Sequence, residues 1–222
     1  SAPEGFTYLQ YFYPGSVVLV ILFSAIFSSI SVIEDRKEGF LQSVLVAPIS
    51  RTSIVLGKII GITALSLVQG VLFLVVAPLV DPSVSAGAIV LTVGVLALVA
   101  FGLASFGFLI AWSVDSSQGF HALMNLLLIP LWMLSGAIFP TTGAAPWVAA
   151  IMQWNPLAYG VAAARISLYG LDPQYLDGLP DFGTSFAVII VFGLVVAVIA
   201  VWRVETRQRG DELEETGRSS IL

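Results

Sequence analysis

Cysteine is absent from this sequence, and histidine occurs only once, at position 121. The missing cysteine excludes thiol nucleophiles, disulfides and cysteine-ligated metal sites, and one histidine cannot build a histidine-rich metal site. Charged residues make up only 10% of the chain, against about 25% in soluble domains. The sequence also lacks the basic face that binds nucleic acid. We therefore expect no ordinary soluble domain, no cofactor or metal held by this chain, and no nucleic-acid partner.

Long uncharged stretches dominate the chain instead. Asp, Glu, Lys and Arg are missing from residues 5–33, 59–80, 82–114, 116–164 and 182–202. Each stretch can hold a membrane-spanning helix, which needs about 20 mostly apolar residues, and none alternates as outer-membrane strands do. The sequence therefore predicts an all-α polytopic membrane protein. Its five transmembrane helices are expected at about residues 15–33, 54–80, 86–114, 120–139 and 184–202.

The basic residues predict the orientation of these spans. Eight of the nine Lys and Arg residues lie between spans one and two or after span five, and cytoplasmic loops are the ones enriched in such residues. We therefore expect a membrane domain over residues 1–204 in the cytoplasmic (inner) membrane and a polar cytoplasmic tail over 205–222. Only Arg165 is then external. Five spans with a cytoplasmic C-terminus place the first residues outside, so we expect an upstream helix to be missing from this chain and six spans in the intact protein.

Residues 34–48 join spans one and two and have a mixed character. Five charged residues are followed by Phe40, Leu41, Val44 and Leu45 at helical spacing, and Pro48 ends the pattern. This predicts a short amphipathic helix at about 36–48. Such a helix can dock a soluble partner or rest on lipid at the membrane surface, and the periodicity does not separate the two.

The same segment carries a family resemblance. Glu34, Glu38, Gly39, Leu41, Leu45, Pro48 and Ser50 spell Glu-x-x-x-Glu-Gly-x-Leu-x-x-x-Leu-x-x-Pro-x-Ser, which resembles the coupling-helix region of type-2 ATP-binding-cassette (ABC) exporter permeases. Residues 8–15 resemble the entry into that family's second span. Residues 135–140, 154–159 and 165–170 resemble its late signature. The chain departs from the family in lacking the first span.

The resemblance implies a half-transporter that pairs with a second copy of itself or with a homologous permease. One ABC ATPase subunit would lie under each permease and bind ATP and Mg, since this sequence contains no phosphate-loop motif. The residues that the resemblance places at the ATPase-coupling site are Glu34, Arg36, Lys37, Glu38, Gly39, Phe40, Leu41, Val44, Leu45, Pro48 and Arg51.

The segment after span four predicts further structure outside the membrane. Residues 146–170 are apolar and helix-like, and Trp154 suits a membrane–water boundary. The residue before a proline disfavours helix, so Asn155 and Pro156 should separate two helices, which the family implies are re-entrant. Arg165 contacts substrate or lipid headgroups, or is anchored by a nearby carboxylate.

The span interiors contain no ionisable residue, whereas ion-coupled carriers normally need one. This favours an amphipathic cargo, such as a drug, a lipid or a lipid-linked glycan, over an ATP-independent or ion-coupled carrier as the alternative. His121 has no evident catalytic partner, so we do not expect an enzyme. Candidate residues of the substrate pathway, each of which can instead serve packing between helices, are Phe23, Phe27, Gln69, Asn125, Trp132 and Ser135.

Overall fold

The computed structural model describes residues 7–38, 50–138, 144–170 and 180–219, with side chains as far as residue 206. Within these ranges the protein is all-α and contains no strand, as predicted. The described helices are α1 (Tyr8–Ser28), α2 (Ile30–Lys37), α3 (Arg51–Leu74), α4 (Ala77–Val80), α5 (Ala86–Ser113), α6 (Ser117–Met133), α7 (Pro146–Trp154), α8 (Pro156–Tyr169) and α9 (Phe182–Ser219).

Four helical stretches of the described chain are long and apolar enough to cross a membrane. They confirm four of the five predicted spans and cover Tyr8–Lys37, Arg51–Val80, Ala86–Ser113 and Phe182–Thr206. The remaining prediction, residues 120–139, was too long. Helix α6 has 17 residues and ends at Met133. Pro130 lies three residues before this end, and Gly136, which has a positive φ of 73°, lies three residues after it. At 1.5 Å per residue it reaches about 25 Å, at the lower limit for a span.

The first two helices form a nearly continuous rod. Thr7 and Gln10 make a capping box at its start, and only the turn at Ser29 interrupts the helix before Lys37. The Ser29 hydroxyl donates to the Ala25 carbonyl oxygen at 2.9 Å. Residues 36 and 37 therefore belong to the end of the first span, and residues 39–48 of the coupling helix predicted at about 36–48 lie outside the described residues.

Helix α5 lies at the centre of the bundle and contacts α1, α3, α8 and α9. Glycine permits the closest of these contacts. A Cβ atom on Gly107 would lie 2.4 Å from the Ser29 hydroxyl oxygen, and one on Gly102 would lie 3.1 Å from the Phe192 ring. Helix α6 is attached less closely, through a single buried stripe of Phe120, Met124 and Leu128.

The long helices run up and down and bring their polar termini to two ends. We call the end formed by residues 34–38, 50–58, 112–117 and 203–206 the basic end, and the other the opposite end. Helices α7 and α8 belong to the opposite half and confirm the predicted pair of short helices separated at Asn155. Gly160 of α8 lies against Val99, halfway along α5, which is a depth expected of a re-entrant helix. Helix α9 continues without a break from its span past residue 204 to Ser219.

Candidate functional site

The basic end joins four helices through polar contacts. Lys58 of α3 forms an ion pair with Asp35 of α2, with Nζ and Oδ2 separated by 2.5 Å and both side chains about 30% exposed. The Thr52 hydroxyl donates to Glu205 of α9 at 3.2 Å. These links fix the start of α3 against the end of α2 and against the last span.

Arg36 is turned into the protein, toward the C-terminal end of α5. Its guanidinium donates to the carbonyl oxygens of Trp112 and Val114, the second at 2.9 Å, and to the Asp115 carboxylate at 3.1 Å. Its Cζ atom also lies 5.5 Å from the centre of the Trp112 ring. The last carbonyls of a helix have no partner within the helix and carry partial negative charge. Arg36 therefore caps α5 with charge of the complementary sign.

Neighbouring residues of α2 point the other way. Glu34, Lys37 and Glu38 are exposed, whereas Asp35 and Arg36 are partly buried by the contacts just described. Of the eleven residues predicted to couple to an ATPase, three are thus turned outward at the end of α2, and Arg36 is committed to the permease itself. Arg51 lies in the first turn of α3 and is partly buried. Gly39, Phe40, Leu41, Val44, Leu45 and Pro48 lie outside the described residues.

Sequence reasoning missed the partners at this end. Asp35, Lys58, Trp112, Asp115 and Glu205 were not predicted to belong to the site. Four of them come from four different helices and Asp115 from the turn between α5 and α6, so no spacing along the chain could have indicated that they meet. The only available signal was the presence of several charges next to span ends.

An open groove runs along the bundle next to these ion pairs. Its volume is about 510 Å³, and it lies between α1–α2 and α3. Phe27, Glu34, Lys58, Gly61 and Leu65 are among the residues that line it. The Phe27 ring stacks near Phe23 on one side, with centroids 5.6 Å apart, and near the His121 ring of α6 on the other, at 5.5 Å. The structure therefore brings together the two predicted pathway aromatics, Phe23 and Phe27, on one face of α1.

The other predicted pathway residues divide into two kinds. The Ser135 hydroxyl is buried and donates to the Trp132 carbonyl oxygen at 2.5 Å, and the Trp132 ring N–H donates to the Gly15 carbonyl oxygen at 3.0 Å. Both therefore serve packing within the chain. Gln69 and Asn125 are exposed, and neither side chain has a hydrogen-bond partner among the described residues. They present unpaired amides on the surfaces of α3 and α6.

At the opposite end Arg165 is almost fully buried, with 1% of its surface exposed. Its Nη2 donates to the carbonyl oxygens of Tyr11 at 3.1 Å and Gly136 at 3.2 Å, and its Cζ lies 3.9 Å from the centre of the Tyr11 ring. Tyr11 itself donates to the Gly136 carbonyl oxygen at 2.9 Å. Among the described residues no carboxylate pairs with Arg165. The guanidinium instead joins α8 to α1 and to the turn after α6 through backbone oxygens, so the described residues supply no carboxylate anchor for it.

Asn155 joins the start of α8 to the end of α6. Its amide nitrogen donates to the carbonyl oxygens of Leu131 at 2.7 Å and Leu134 at 3.1 Å, while its amide oxygen accepts from the Leu157 backbone N–H at 3.0 Å. The side chain thus caps α8, as Asn does well at a helix start, and also binds the unpaired carbonyls at the end of α6. Pro156 occupies the first position of α8, where its missing N–H costs nothing. Trp154 remains 89% exposed.

Asp81 ties the turn between α4 and α5 to α1. It accepts hydrogen bonds from the Ser83 hydroxyl at 2.6 Å, the Ser83 backbone N–H at 2.8 Å and the Gln10 amide at 2.9 Å. The two Ser83 bonds, and to a smaller extent the Gln10 bond, favour the ionised form and lower the pKa of the Asp81 carboxyl.

Comparison with known proteins identifies the family to which the chain belongs. The family profile described as ABC-2 type transporter matches residues 4–169. The chain is 32% identical over 200 residues to the ycf38 transport permease of Cyanophora paradoxa, covering 85% of this chain and 68% of that protein. It is 29% identical over 176 residues to ycf38 of Porphyra purpurea, covering 78% of this chain and 60% of that protein.

A bacterial relative covers more of the sequence. The inner membrane transport permease YadH of Escherichia coli is 26% identical over 209 residues, which cover 93% of this chain and 78% of that protein. The chain thus spans between 60% and 78% of these three relatives' own lengths. The family match covers both ends of the bundle, from the start of α1 to the end of α8. This multi-pass membrane protein belongs to the ABC-2 type transporter family of transport permeases.

Proposed function

We propose that this chain is the membrane-spanning subunit of an ATP-driven exporter. It forms a dimer with a second copy or a homologous permease, and a separate ABC ATPase subunit binds ATP and Mg and docks on each basic end. The cargo is an amphipathic molecule such as a drug, a lipid or a lipid-linked glycan. The basic end faces the cytoplasm, in agreement with the concentration of Lys and Arg there.

The coupling proposal rests on where the side chains of residues 34–38 point, because some face outward and others face neighbouring helices. Glu34, Lys37 and Glu38 are exposed and leave charge available to a partner, while Asp35 and Arg36 hold α2 to α3 and α5. A partner that binds the exposed set therefore acts on a segment already joined to other helices. In this proposal residues 39–49 dock in the ATPase, and their displacement reaches α3 through Lys58 and α5 through Arg36.

The exposed amides support a polar route beside the first span. Gln69 and Asn125 lie on the two helices that flank the Phe23–Phe27 face of α1, and a side-chain amide facing lipid would leave its hydrogen-bonding groups unsatisfied at a cost of several kcal/mol. We infer that they face the substrate pathway or the second copy. Aromatic rings beside a few amides suit a cargo with an apolar body and a polar part.

Co-purification tests the proposal. The full-length protein is extracted in detergent with its candidate ATPase, and both the stoichiometry of the complex and ATP hydrolysis are measured. We expect Leu41→Asp and Glu38→Ala to abolish transport and to weaken ATPase association while insertion and dimerisation persist. Asp181→Ala, an acidic-to-alanine change on the opposite end, is the matched control and should leave ATPase association intact.

The competing function makes a different prediction. If the protein purifies without an ATPase, and if both variants transport normally, the coupling site is wrong and an ATP-independent or ion-coupled carrier becomes the better explanation. A stoichiometric partner with a phosphate loop, lost specifically in Leu41→Asp, would support the exporter.

A further inference from the structure

A partly enclosed cavity of about 190 Å³ lies between α5, α8 and α9. All of its walls are apolar, and they include Val99, Leu103, Phe106, Leu157, Ile189 and Phe192. An apolar cavity of about 150 Å³ in a protein interior stays dry and binds apolar molecules. This one is therefore a place for hydrocarbon and not for water.

An open groove on the side of the bundle lies next to this cavity. It has a volume of about 790 Å³ and lies between α9 and the junction of α7 with α8. Its floor on α9 runs from Ala187 to Val195 and is apolar apart from the backbone. The eight helical steps from Ala187 to Val195, at 1.5 Å each, make this floor about 12 Å long. The polar groups at the rim come from Gln153, Trp154 and Tyr159, and the Tyr159 hydroxyl donates to the Gln153 carbonyl oxygen at 2.9 Å.

The groove and the cavity adjoin each other. Pro156 and Phe192 line both of them, so a molecule lying in the groove is separated from the cavity by these two side chains. Two glycines in the cavity wall keep this space open. A Cβ on Gly102 would lie 3.1 Å from the Phe192 ring, and one on Gly160 would lie 3.1 Å from Val99.

We propose that the groove and cavity bind one acyl chain of a membrane glycerophospholipid. The surrounding membrane supplies such chains at the depth of α9 that the groove occupies, within the predicted span. A groove next to a small apolar cavity accepts a flexible chain that turns past Phe192, whereas a rigid ring system cannot bend to occupy both spaces. Each buried methylene contributes about 0.8 kcal/mol, so insertion of the chain end is favourable. The site belongs to a single copy of the chain and does not depend on ATP or on the export proposal.

Photo-crosslinking tests the site in the intact protein. The protein is reconstituted into vesicles of phosphatidylethanolamine and phosphatidylglycerol that contain a trace of phosphatidylcholine with a diazirine at the end of one acyl chain. After illumination, adducts are mapped by mass spectrometry in the absence of nucleotide and ATPase. We expect adducts on the buried α5 residues Val99 and Leu103, which line the cavity, as well as on the exposed face of α9 around Val191.

Two cavity-filling variants and one control decide the interpretation. Val99→Phe and, from the other wall, Ile189→Phe should lower α5 labelling about tenfold, because that factor corresponds to ~1.4 kcal/mol, less than two buried methylene groups contribute. Labelling around Val191 should persist, which also shows that the variant is folded in the membrane. Val90→Phe makes the same change on the same helix at a residue that is 72% exposed, and it should label like the wild type.

The opposite results are equally clear. Wild-type adducts confined to lipid-exposed residues, with none on Val99 or Leu103, would overturn the proposal. So would α5 labelling that stays unchanged in both folded cavity-filling variants. Since no ATPase is present, failure of the export proposal would leave these results unaffected.

Discussion

Arg165 provides the sharpest test of how the opposite end is built. Its guanidinium is buried among carbonyl oxygens and the Tyr11 ring, and its Nε and Nη1 atoms are buried without a hydrogen-bond partner in the described part of the chain. Two substitutions separate the charge from the shape. Arg165→Met keeps a long apolar side chain and removes the charge, whereas Arg165→Lys keeps the charge and removes the planar group.

The magnitudes follow from the contacts. Two charge-assisted hydrogen bonds contribute about 1.5–3 kcal/mol each, and the contact with the Tyr11 ring contributes about 0.5–2 kcal/mol. Against this stand the several kcal/mol needed to bury an ion and about 1–3 kcal/mol for each unpaired buried group. The two sides nearly cancel, so Arg165→Met should change the free energy of unfolding by no more than about 2 kcal/mol. Arg165→Lys should lose about 2–4 kcal/mol, because an ammonium is more strongly hydrated and cannot form the planar contact.

Thermal unfolding of the purified protein in nanodiscs measures the difference. For a chain of this size, about 1 kcal/mol corresponds to about 2–4 °C in Tm, so Arg165→Lys should melt roughly 5–15 °C below the wild type and Arg165→Met much closer to it. ATPase co-purification should be unchanged in Arg165→Met. Wild-type stability of Arg165→Lys, or an equal loss in both variants, would refute the energetic reasoning. Loss of the ATPase from a folded Arg165→Met protein would show that Arg165 does not lie at the end opposite to the ATPase, or that it has another role.

Three further predictions concern other contacts. Arg36→Lys should lower the free energy of unfolding by about 1–3 kcal/mol, because its contacts with the carbonyl oxygens are lost. Asp115→Asn should lower it by no more than about 1 kcal/mol, because exposed ion pairs are weak. Denaturant titration of both variants measures the difference. Gly15→Ala should lower the free energy of unfolding by about 1–3 kcal/mol through overpacking, because the added Cβ would lie 2.5 Å from a neighbouring side chain. A Cβ on Gly61, inside α3, meets open space, so Gly61→Ala should not destabilise the protein in the same assay and should raise this free energy by up to about 1 kcal/mol. The lowered pKa of Asp81 gives stability that is present above the ordinary value of about 3.9 and lost as the pH falls through the lower folded-state value. The Tm gap between wild type and Asp81→Asn should therefore be constant near neutral pH and close in acid below the ordinary value, and a gap that widens in acid would contradict the assignment.

The sequence was sufficient for the features that depend on composition along one segment. Gaps between charges located the long helices because lipid admits few charges, and the Asn155–Pro156 pair located a helix break because proline restricts the residue before it. The length of α6 was overestimated because apolar residues continue to Phe139 while the helix stops at Met133, and hydropathy does not register the change in backbone direction.

The candidate site was predicted less completely, for a different reason. Adjacent helical residues are about 100° apart, so Asp35 and Arg36 were bound to point differently from Glu34, but which set would face inward depends on what α3 and α5 place beside them. The partners of Arg36 and Arg165 are mostly backbone oxygens. Every residue carries such an oxygen, so nothing in the sequence marks the acceptor.

That choice of acceptor has a consequence for how the family can vary. Arg36, Trp132, Asn155 and Arg165 each connect helices by donating to main-chain carbonyls. A substitution at the accepting position leaves its carbonyl in place, so these links constrain one residue and not a pair. Related permeases can therefore diverge at the acceptors while the donors stay fixed. Analyses that infer contacts from correlated substitutions should miss these four connections, even though they join the helices at both ends of the bundle.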